Sequence, residues 1–190
     1  MRIIAGRHRG LVLAGPEGAA TTRPTAERVR GAVFNLLVNG WLGDVVAGAR
    51  VLDLFAGTGA FGLEALSRGA AHATLVDHDR AACALIGRNA RRMGVEGQIT
   101  VLCRDATRLA DNPGRGHDLV FLDPPYRRRL GEAALTAAQT GGWLAPGAVI
   151  VWEEGAAPAL PPGFAPFDQR RYGRTVITLL RAFGGSGEPA

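Results

Sequence analysis

Residues Val51 to Leu66 read VLDLFAGTGAFGLEAL. The apolar run Val51–Phe55 has the length of a buried strand. Ala56-Gly57-Thr58-Gly59 follows as a glycine-rich turn, and Phe61, Leu63 and Leu66 then recur at helical spacing with no proline between them. The spacing predicts strand, tight turn, helix. Glycines let the backbone turn sharply and approach a ligand closely, and the first N–H groups of the helix point at the same place. Gly57, Gly59 and Gly62 also satisfy the dinucleotide pattern G-x-G-x-x-G. Asp53, near the end of the strand, argues for a different ligand. A carboxylate there repels a pyrophosphate and suits a positive group, such as the ammonium of S-adenosylmethionine. Asp77 closes the next apolar run, Ala73–Val76, roughly 20 residues after the first glycine, where an acidic residue takes a ribose in such folds. The competing reading is a glycine turn and a strand-end aspartate that only cap structure.

Outward from this unit the pattern repeats. Arg80 to Met93 reads as a helix stopped by Gly94, and Ile99–Leu102 as a third strand ended by Arg104-Asp105-Ala106. Leu119–Leu122 is a fourth strand, Glu132–Thr140 a helix closed by Gly141-Gly142, and Ala148–Trp152 a fifth strand ending in Glu153-Glu154. Residues 156–166 are proline-rich and read as a loop. Phe167 to Arg181 predicts two antiparallel strands around Tyr172-Gly173-Arg174, and residues 184–190 a disordered tail. Strands alternating with helices imply a parallel sheet, whose strand C-termini face one crevice. Asp53, Asp77 and Asp105 would converge there. Asp105 either accepts from an adenine amino group or caps the turn that follows it.

Met1 to Ala14 reads MRIIAGRHRGLVLA, two apolar runs around Gly6–Gly10, and predicts a β-hairpin with a basic tip. Arg2, Arg7, Arg9 and Arg23 cluster without nearby acids, which favours nucleic-acid contact over a solvated surface. Thr25 is placed to cap a helix running to about Val38, with Val29, Val33, Leu36 and Leu37 as its apolar face.

The chain has 190 residues, enough for one domain, with a formal net charge of +5, a pI of about 10.4 and no lysine. That excess favours a polyanionic partner. No apolar stretch approaches the roughly 20 residues that span a bilayer, and the N-terminus has no signal-peptide core, so a cytoplasmic protein is expected. Cys83 and Cys103 read as buried thiols of a reducing compartment. The four histidines show no ligand spacing with them, and no metal site is expected.

Asp123-Pro124-Pro125-Tyr126 follows the fourth strand, and Arg127, Arg128 and Arg129 follow it. An exocyclic amino group on a base is planar and a poor nucleophile, because its lone pair is delocalised into the ring. It carries two N–H donors. Asp123 and the Pro124 carbonyl could accept both, and the consecutive prolines fix φ and hold those acceptors rigidly. Tyr126 offers a flat face for a flipped-out base. Holding nitrogen and methyl donor in line can supply roughly 7–11 kcal/mol of barrier reduction.

The glycine motif followed by Asp-Pro-Pro-Tyr resembles the class I amino-methyltransferases that use S-adenosylmethionine. MRIIAGRHRG, TRPTAERVRGAVFNLL and VLDLFAGTGAFGLEALSRGA, together with DPPY, resemble the RsmD family from Met1 to about Leu144. That resemblance implies methylation of N2 of one guanine in bacterial 16S ribosomal RNA, with the RNA or a partly assembled small subunit as partner. It implies an α/β, Rossmann-like fold: a mostly parallel seven-stranded sheet with one antiparallel strand, helices on both faces, plus the N-terminal hairpin. Carried over by position, Asp53, Gly57 and Gly59 bind the methionine part of the cofactor, Asp77 the ribose and Asp105 the adenine, with Phe55 and Ala106 assigned to the same cofactor. Asp123, Pro124, Pro125 and Tyr126 hold the target base. Arg7, Arg9, Arg23, Arg28, Arg127 and Arg128 are the expected RNA contacts. The expected division is a basic extension over 1–22, a methyltransferase domain over 23–183 and a tail over 184–190, in a monomer. Two positions depart from the family pattern: Gly31, where an acidic residue is usual, and Arg129, where glycine is common. The tetrapeptide would also serve an adenine-N6 DNA methyltransferase, against which stands the lack of an added recognition domain. A non-catalytic RNA-binding assembly factor is disfavoured by the intact Asp53, Gly57, Gly59 and Asp123.

Overall fold

A computed structural model of the chain describes residues 1–16, 24–125 and 129–183. Arg23, Tyr126, Arg127, Arg128 and the tail lie outside the described residues, as does the expected boundary at residue 22. Seven strands form one sheet: β1 (Arg50–Leu54), β2 (His72–Asp77), β3 (Ile99–Cys103), β4 (His117–Leu122), β5 (Leu144–Glu154), β6 (Phe164–Tyr172) and β7 (Thr175–Ala182). Their order is β3-β2-β1-β4-β5-β7-β6. The first five strands pair in parallel, and β7 runs antiparallel to both its neighbours. The sheet therefore has one antiparallel strand, as the resemblance implies.

The helices are α1 (Pro24–Asn39), α2 (Ala60–Ser67), α3 (Arg80–Met93) and α4 (Leu130–Thr140). Central strands are buried on both faces, which is why β1 and β4 read as continuous apolar runs rather than alternating ones. Their side chains still alternate. Val51, Leu75, Phe121 and Val151 face one core with Val33, Phe34, Leu63 and Ile86 from α1, α2 and α3. Leu52, Val76, Val120 and Ile150 face the other with Ala134, Leu135 and Ala138 from α4. A one-residue slip of any strand would exchange the two faces.

Several expectations are corrected in detail. α1 begins at Pro24, so Thr25 lies inside the helix; proline suits a first turn because its missing N–H has no helical partner there. β5 starts at Leu144, four residues earlier than its apolar core, because it continues through Pro146 and Gly147. β6 starts at Phe164, inside the stretch read as loop. It is an edge strand, where Pro166 is tolerated beside a register shift between Pro166 and Asp168. Cys103 is exposed and Cys83 only partly covered, so they are not the buried thiols expected.

Candidate active site

Asp53, Asp77 and Asp123 lie at the carboxyl ends of β1, β2 and β4, which are hydrogen-bonded neighbours. They share the parity of Val51, Leu75 and Phe121, so all three stand on the α2 side of the sheet.

Asp53 is 2% exposed, and its Oδ2 accepts from the Gly62 N–H of α2 at 2.9 Å. Burial pushes its pKa up to about 7; the Gly62 hydrogen bond works against that shift, and repulsion from Asp77 adds to it. Asp77 holds the glycine turn. Its Oδ2 accepts from the Gly57 N–H at 2.8 Å, and its Oδ1 from the Asp79 N–H at 2.9 Å. Asp79 in turn caps α3 by accepting from Ala81.

Phe55, Gly57 and Gly59 take φ values of 63°, 54° and 78°. The two glycines accept this conformation cheaply, whereas at Phe55 it costs on the order of 1–2 kcal/mol. The glycines differ in what they leave room for. A Cβ at Gly57 would meet only the Phe55 carbonyl at 4.0 Å, so this side of the turn is open. At Gly59 it would press on Leu75, Ile86 and Leu63 at 3.1–3.2 Å, so this glycine lets α2 and α3 pack.

An open cleft of about 390 Å³ lies at these strand ends, lined by Phe55, Asp77, His78, Asp123, Pro124 and Pro125. Phe55, two residues before Gly57, and Asp77, which holds the Gly57 N–H, thus share one cavity with the Asp123-Pro124-Pro125 segment, whereas Asp53, Gly57 and Gly59 are not among the residues that line it. His78, at its rim, went unnoticed in the sequence because a histidine after a strand-end aspartate follows no motif. Asp123 is exposed to the cleft, yet its carboxyl lies well above the usual carboxylate range. Protein packed around the carboxyl disfavours its charge first, and repulsion from Glu153, Asp53 and Glu154 adds to this. Because cleft water relieves part of the desolvation at so exposed a residue, the repulsion is the firmer of the two causes. The cleft is acidic, and its donor set suits a cation.

Asp105 does not line this cleft. It is exposed, and its Oδ1 accepts from both the Thr107 N–H (2.9 Å) and the Thr107 hydroxyl (2.8 Å), capping the turn Ala106–Arg108. Those two hydrogen bonds, the backbone one first, hold its pKa below the usual range. Ala106 is buried, 3% exposed, against the α4 core.

Of the expected RNA contacts among the described residues, Arg7, Arg9 and Arg28 are all exposed. The hairpin that carries Arg7 and Arg9 pairs Arg2 with Val12 and is closed by backbone hydrogen bonds from the Leu13 N–H to the Met1 carbonyl (2.8 Å), the Ile3 N–H to the Leu11 carbonyl (3.0 Å) and the Gly10 N–H to the Ile3 carbonyl (2.9 Å). It is fastened along α2. Glu64, wholly buried, accepts from the Ile4 N–H at 2.8 Å, the Ala5 N–H at 3.0 Å and Arg68 Nε at 2.8 Å. Arg30 Nε lies 3.8 Å from the same carboxylate, and Arg30 Nη2 donates to the Arg2 carbonyl at 2.7 Å. At the end of α2, the Ser67 carbonyl accepts from the Arg7 N–H at 2.8 Å. Asn89 of α3 clasps Ala14 from both sides, N–H to Oδ1 at 2.8 Å and Nδ2 to O at 3.1 Å. In the sequence, Glu64 sits within an apolar helical run, and that misplaced charge was the one signal of this clamp.

The chain matches the family described as Conserved hypothetical protein 95 over residues 1–181. It is 38% identical over 184 residues to the ribosomal RNA small subunit methyltransferase D of Escherichia coli, covering 95% of this chain and 89% of that protein. The solved structure of Escherichia coli yhhF superimposes with a TM-score of 0.83 at 37% identity, covering 96% of this chain and 98% of that one. The N-methyltransferase NodS of Bradyrhizobium japonicum, solved with S-adenosyl-L-homocysteine, shares the fold alone: TM-score 0.64 at 15% identity over 85% of this chain and 89% of that one. With the class I methyltransferase sheet, the shared cleft and this similarity along nearly its whole length, the chain belongs to the RsmD family of ribosomal RNA small subunit methyltransferases.

Proposed function

We propose that this protein transfers a methyl group from S-adenosylmethionine to the exocyclic N2 amino group of one guanine in 16S ribosomal RNA. The observation that carries this reading is the cleft in which Phe55, at the head of the glycine turn, and Asp77, which holds the Gly57 N–H, meet the Asp123-Pro124-Pro125 segment. The cofactor supplies a methyl group on a cationic sulfur. Its charge suits a site where Asp53, Asp77 and Asp123 crowd together and keep two of their carboxyls above the ordinary range. Asp53 and the Gly57–Gly59 turn would take the methionine part, and Asp77 the ribose. Asp105, whose Oδ1 is engaged by Thr107, would offer Oδ2 to the adenine amino group. Asp123 and the Pro124 carbonyl would accept the two N–H groups of the guanine amine and turn its lone pair toward the methyl. As the nitrogen forms its new bond it becomes cationic. Asp123 would stabilise that charge and receive the proton that leaves, a task for which a raised pKa is suited. Arg7, Arg9 and Arg28 would bind the RNA backbone.

The test is mass mapping of methylated nucleosides after incubating the protein and S-adenosylmethionine with undermodified small-subunit ribosomal RNA, free and partly assembled. N2-methylguanosine at one site is the expected product. N6-methyladenosine would replace this reading, and no methylated product with any substrate would remove it.

A further inference from the structure

A second cleft, of about 650 Å³, opens on the other side of the sheet's carboxyl edge from the cofactor half. Its arginines come from three separate segments, Arg129 before α4, Arg171 on β6 and Arg174 in the β6–β7 turn, and Glu132 of α4 and Glu154 of β5 stand among them. The wall from Gly155 to Ala159 is glycine, alanine and proline, with no long side chain to fill the cleft. We propose that this cleft binds the sugar–phosphate backbone of the RNA strand next to the target nucleotide; the inference rests on the ribosomal RNA reading above.

Four observations support it. All three arginines are exposed, and among the described residues none forms an ion pair or a side-chain hydrogen bond. Other arginines behave differently: Arg170, next to Arg171, is paired with Asp168 at 3.0 Å, and elsewhere in the fold Arg30 and Arg68 serve Glu64. Unpaired guanidinium groups converging on a concave surface are ready to bind phosphate oxygens in pairs. Second, the cleft adjoins the chemistry. β4 and β5 pair with Leu122 opposite Trp152, so Asp123 is level with Glu153, and Glu154 is the next residue along. A strand whose base enters the Asp123 pocket must run on past this point. Third, the carboxylates of Glu132 and Glu154 are ill suited to a site for bare phosphate but can accept from ribose 2′-hydroxyls and base amino groups, which a nucleotide chain brings with its phosphates. Fourth, Arg129 has a φ of 52°, a left-handed conformation that glycine would adopt without strain. The fold holds an arginine there nonetheless, at the cleft wall.

The experiment uses the full chain with Arg129→Gly, Arg171→Ala and Arg174→Ala, singly and together. Methylation of undermodified small-subunit ribosomal RNA and filter binding of the same RNA are measured over a range of salt concentrations. The half-saturating RNA concentration should rise. The log–log salt slope should fall by about 0.7 for each lost contact on a single strand. The rate at saturating RNA, and cofactor affinity by calorimetry, should stay unchanged. Unaltered half-saturation and slope in the triple variant overturn the proposal while the wild type still methylates RNA. Failure of the wild type to methylate any RNA would instead remove the functional reading, and filter binding would still decide the cleft. If the triple variant does not fold, Arg129→Gly carries the test alone, since glycine fits that φ. Loss confined to assembled subunits, with affinity for protein-free RNA intact, overturns the proposal in favour of a protein partner.

Discussion

Replacing Asp53 by asparagine should stabilise the cofactor-free protein at neutral pH. Asp53 is 2% exposed and has a pKa of about 7 against an ordinary 3.8. A carboxyl whose pKa rises on folding binds its proton more tightly in the native state. Between the two values the folded chain therefore holds more protons than the unfolded one, and stability falls as pH rises from about 4 to about 7. The gap of about three units is worth roughly 4 kcal/mol when fully expressed. Asparagine keeps an oxygen for the Gly62 N–H and has no charge to bury. Urea unfolding of both proteins from pH 4 to pH 8 should give similar stabilities at the acid end and a gap of roughly 4 kcal/mol in favour of Asp53→Asn above pH 7. Asp123, raised in the same direction, does not cancel in full: Asp53 is one of the charges that raise it, so its pKa should fall in Asp53→Asn, which widens the gap in the same direction. Parallel stability curves would refute the account of a buried carboxyl held near neutrality. A cationic ligand beside Asp53 should favour its ionised form. Binding of S-adenosylmethionine by the wild type near pH 6 should therefore release a proton that Asp53→Asn does not, as calorimetry in buffers of different ionisation enthalpy would show.

Asp123→Ala should abolish most single-turnover methylation while leaving cofactor affinity nearly intact, because its partner exists chiefly in the transition state. Asp123→Asn should be milder if an accepting oxygen suffices; a loss as large as alanine's would assign the work to negative charge. Glu64→Gln should cost about 3 kcal/mol in urea unfolding, since it leaves Arg30, 4% exposed, without its carboxylate. Gly6 has a φ of 82°, and a Cβ there would run into the Ser67 carbonyl. Gly6→Ala should therefore displace the hairpin tip and weaken RNA binding in filter assays, with calorimetric cofactor affinity unchanged. Arg7→Ala and Arg9→Ala should each lower the salt slope of RNA affinity by about 0.7; an unmoved slope would leave these arginines as solvated surface.

Where one physical signal dominated, the sequence was legible. The strand–turn–helix unit stands where Val51–Leu66 puts it, and α3 ends at Gly94, which takes a φ of 67°. Strand-end aspartates could be placed because a parallel sheet gathers its carboxyl ends. Other features depend on partners far along the chain. Glu64 is 60 residues from Ile4, and no local pattern pairs a helical carboxylate with the backbone of a hairpin. β5 reaches back past Pro146-Gly147 because Leu144 pairs with His117 of β4; the residues between Leu144 and Val149 bulge out of the ladder, and a bulge and a turn look alike in sequence. Asp105 shows the reverse: its short-range tie to Thr107, two residues on, was one of two readings open from sequence, and it is the contact the fold makes.

α2 is gripped at both ends by groups from elsewhere. Near its start Asp53 takes the Gly62 N–H; near its end Glu64 and Ser67 take the backbone of Ile4, Ala5 and Arg7. Its 8 residues therefore act as a gauge block between the glycine turn and the hairpin. One residue added between the grips would twist the far end by about 100° and push it about 1.5 Å along the axis. Glu64 and Ser67 would then face away from the hairpin they hold. The helix can change letters on its surface, but it cannot change its length, and deletions or insertions here should be far less tolerated than substitutions.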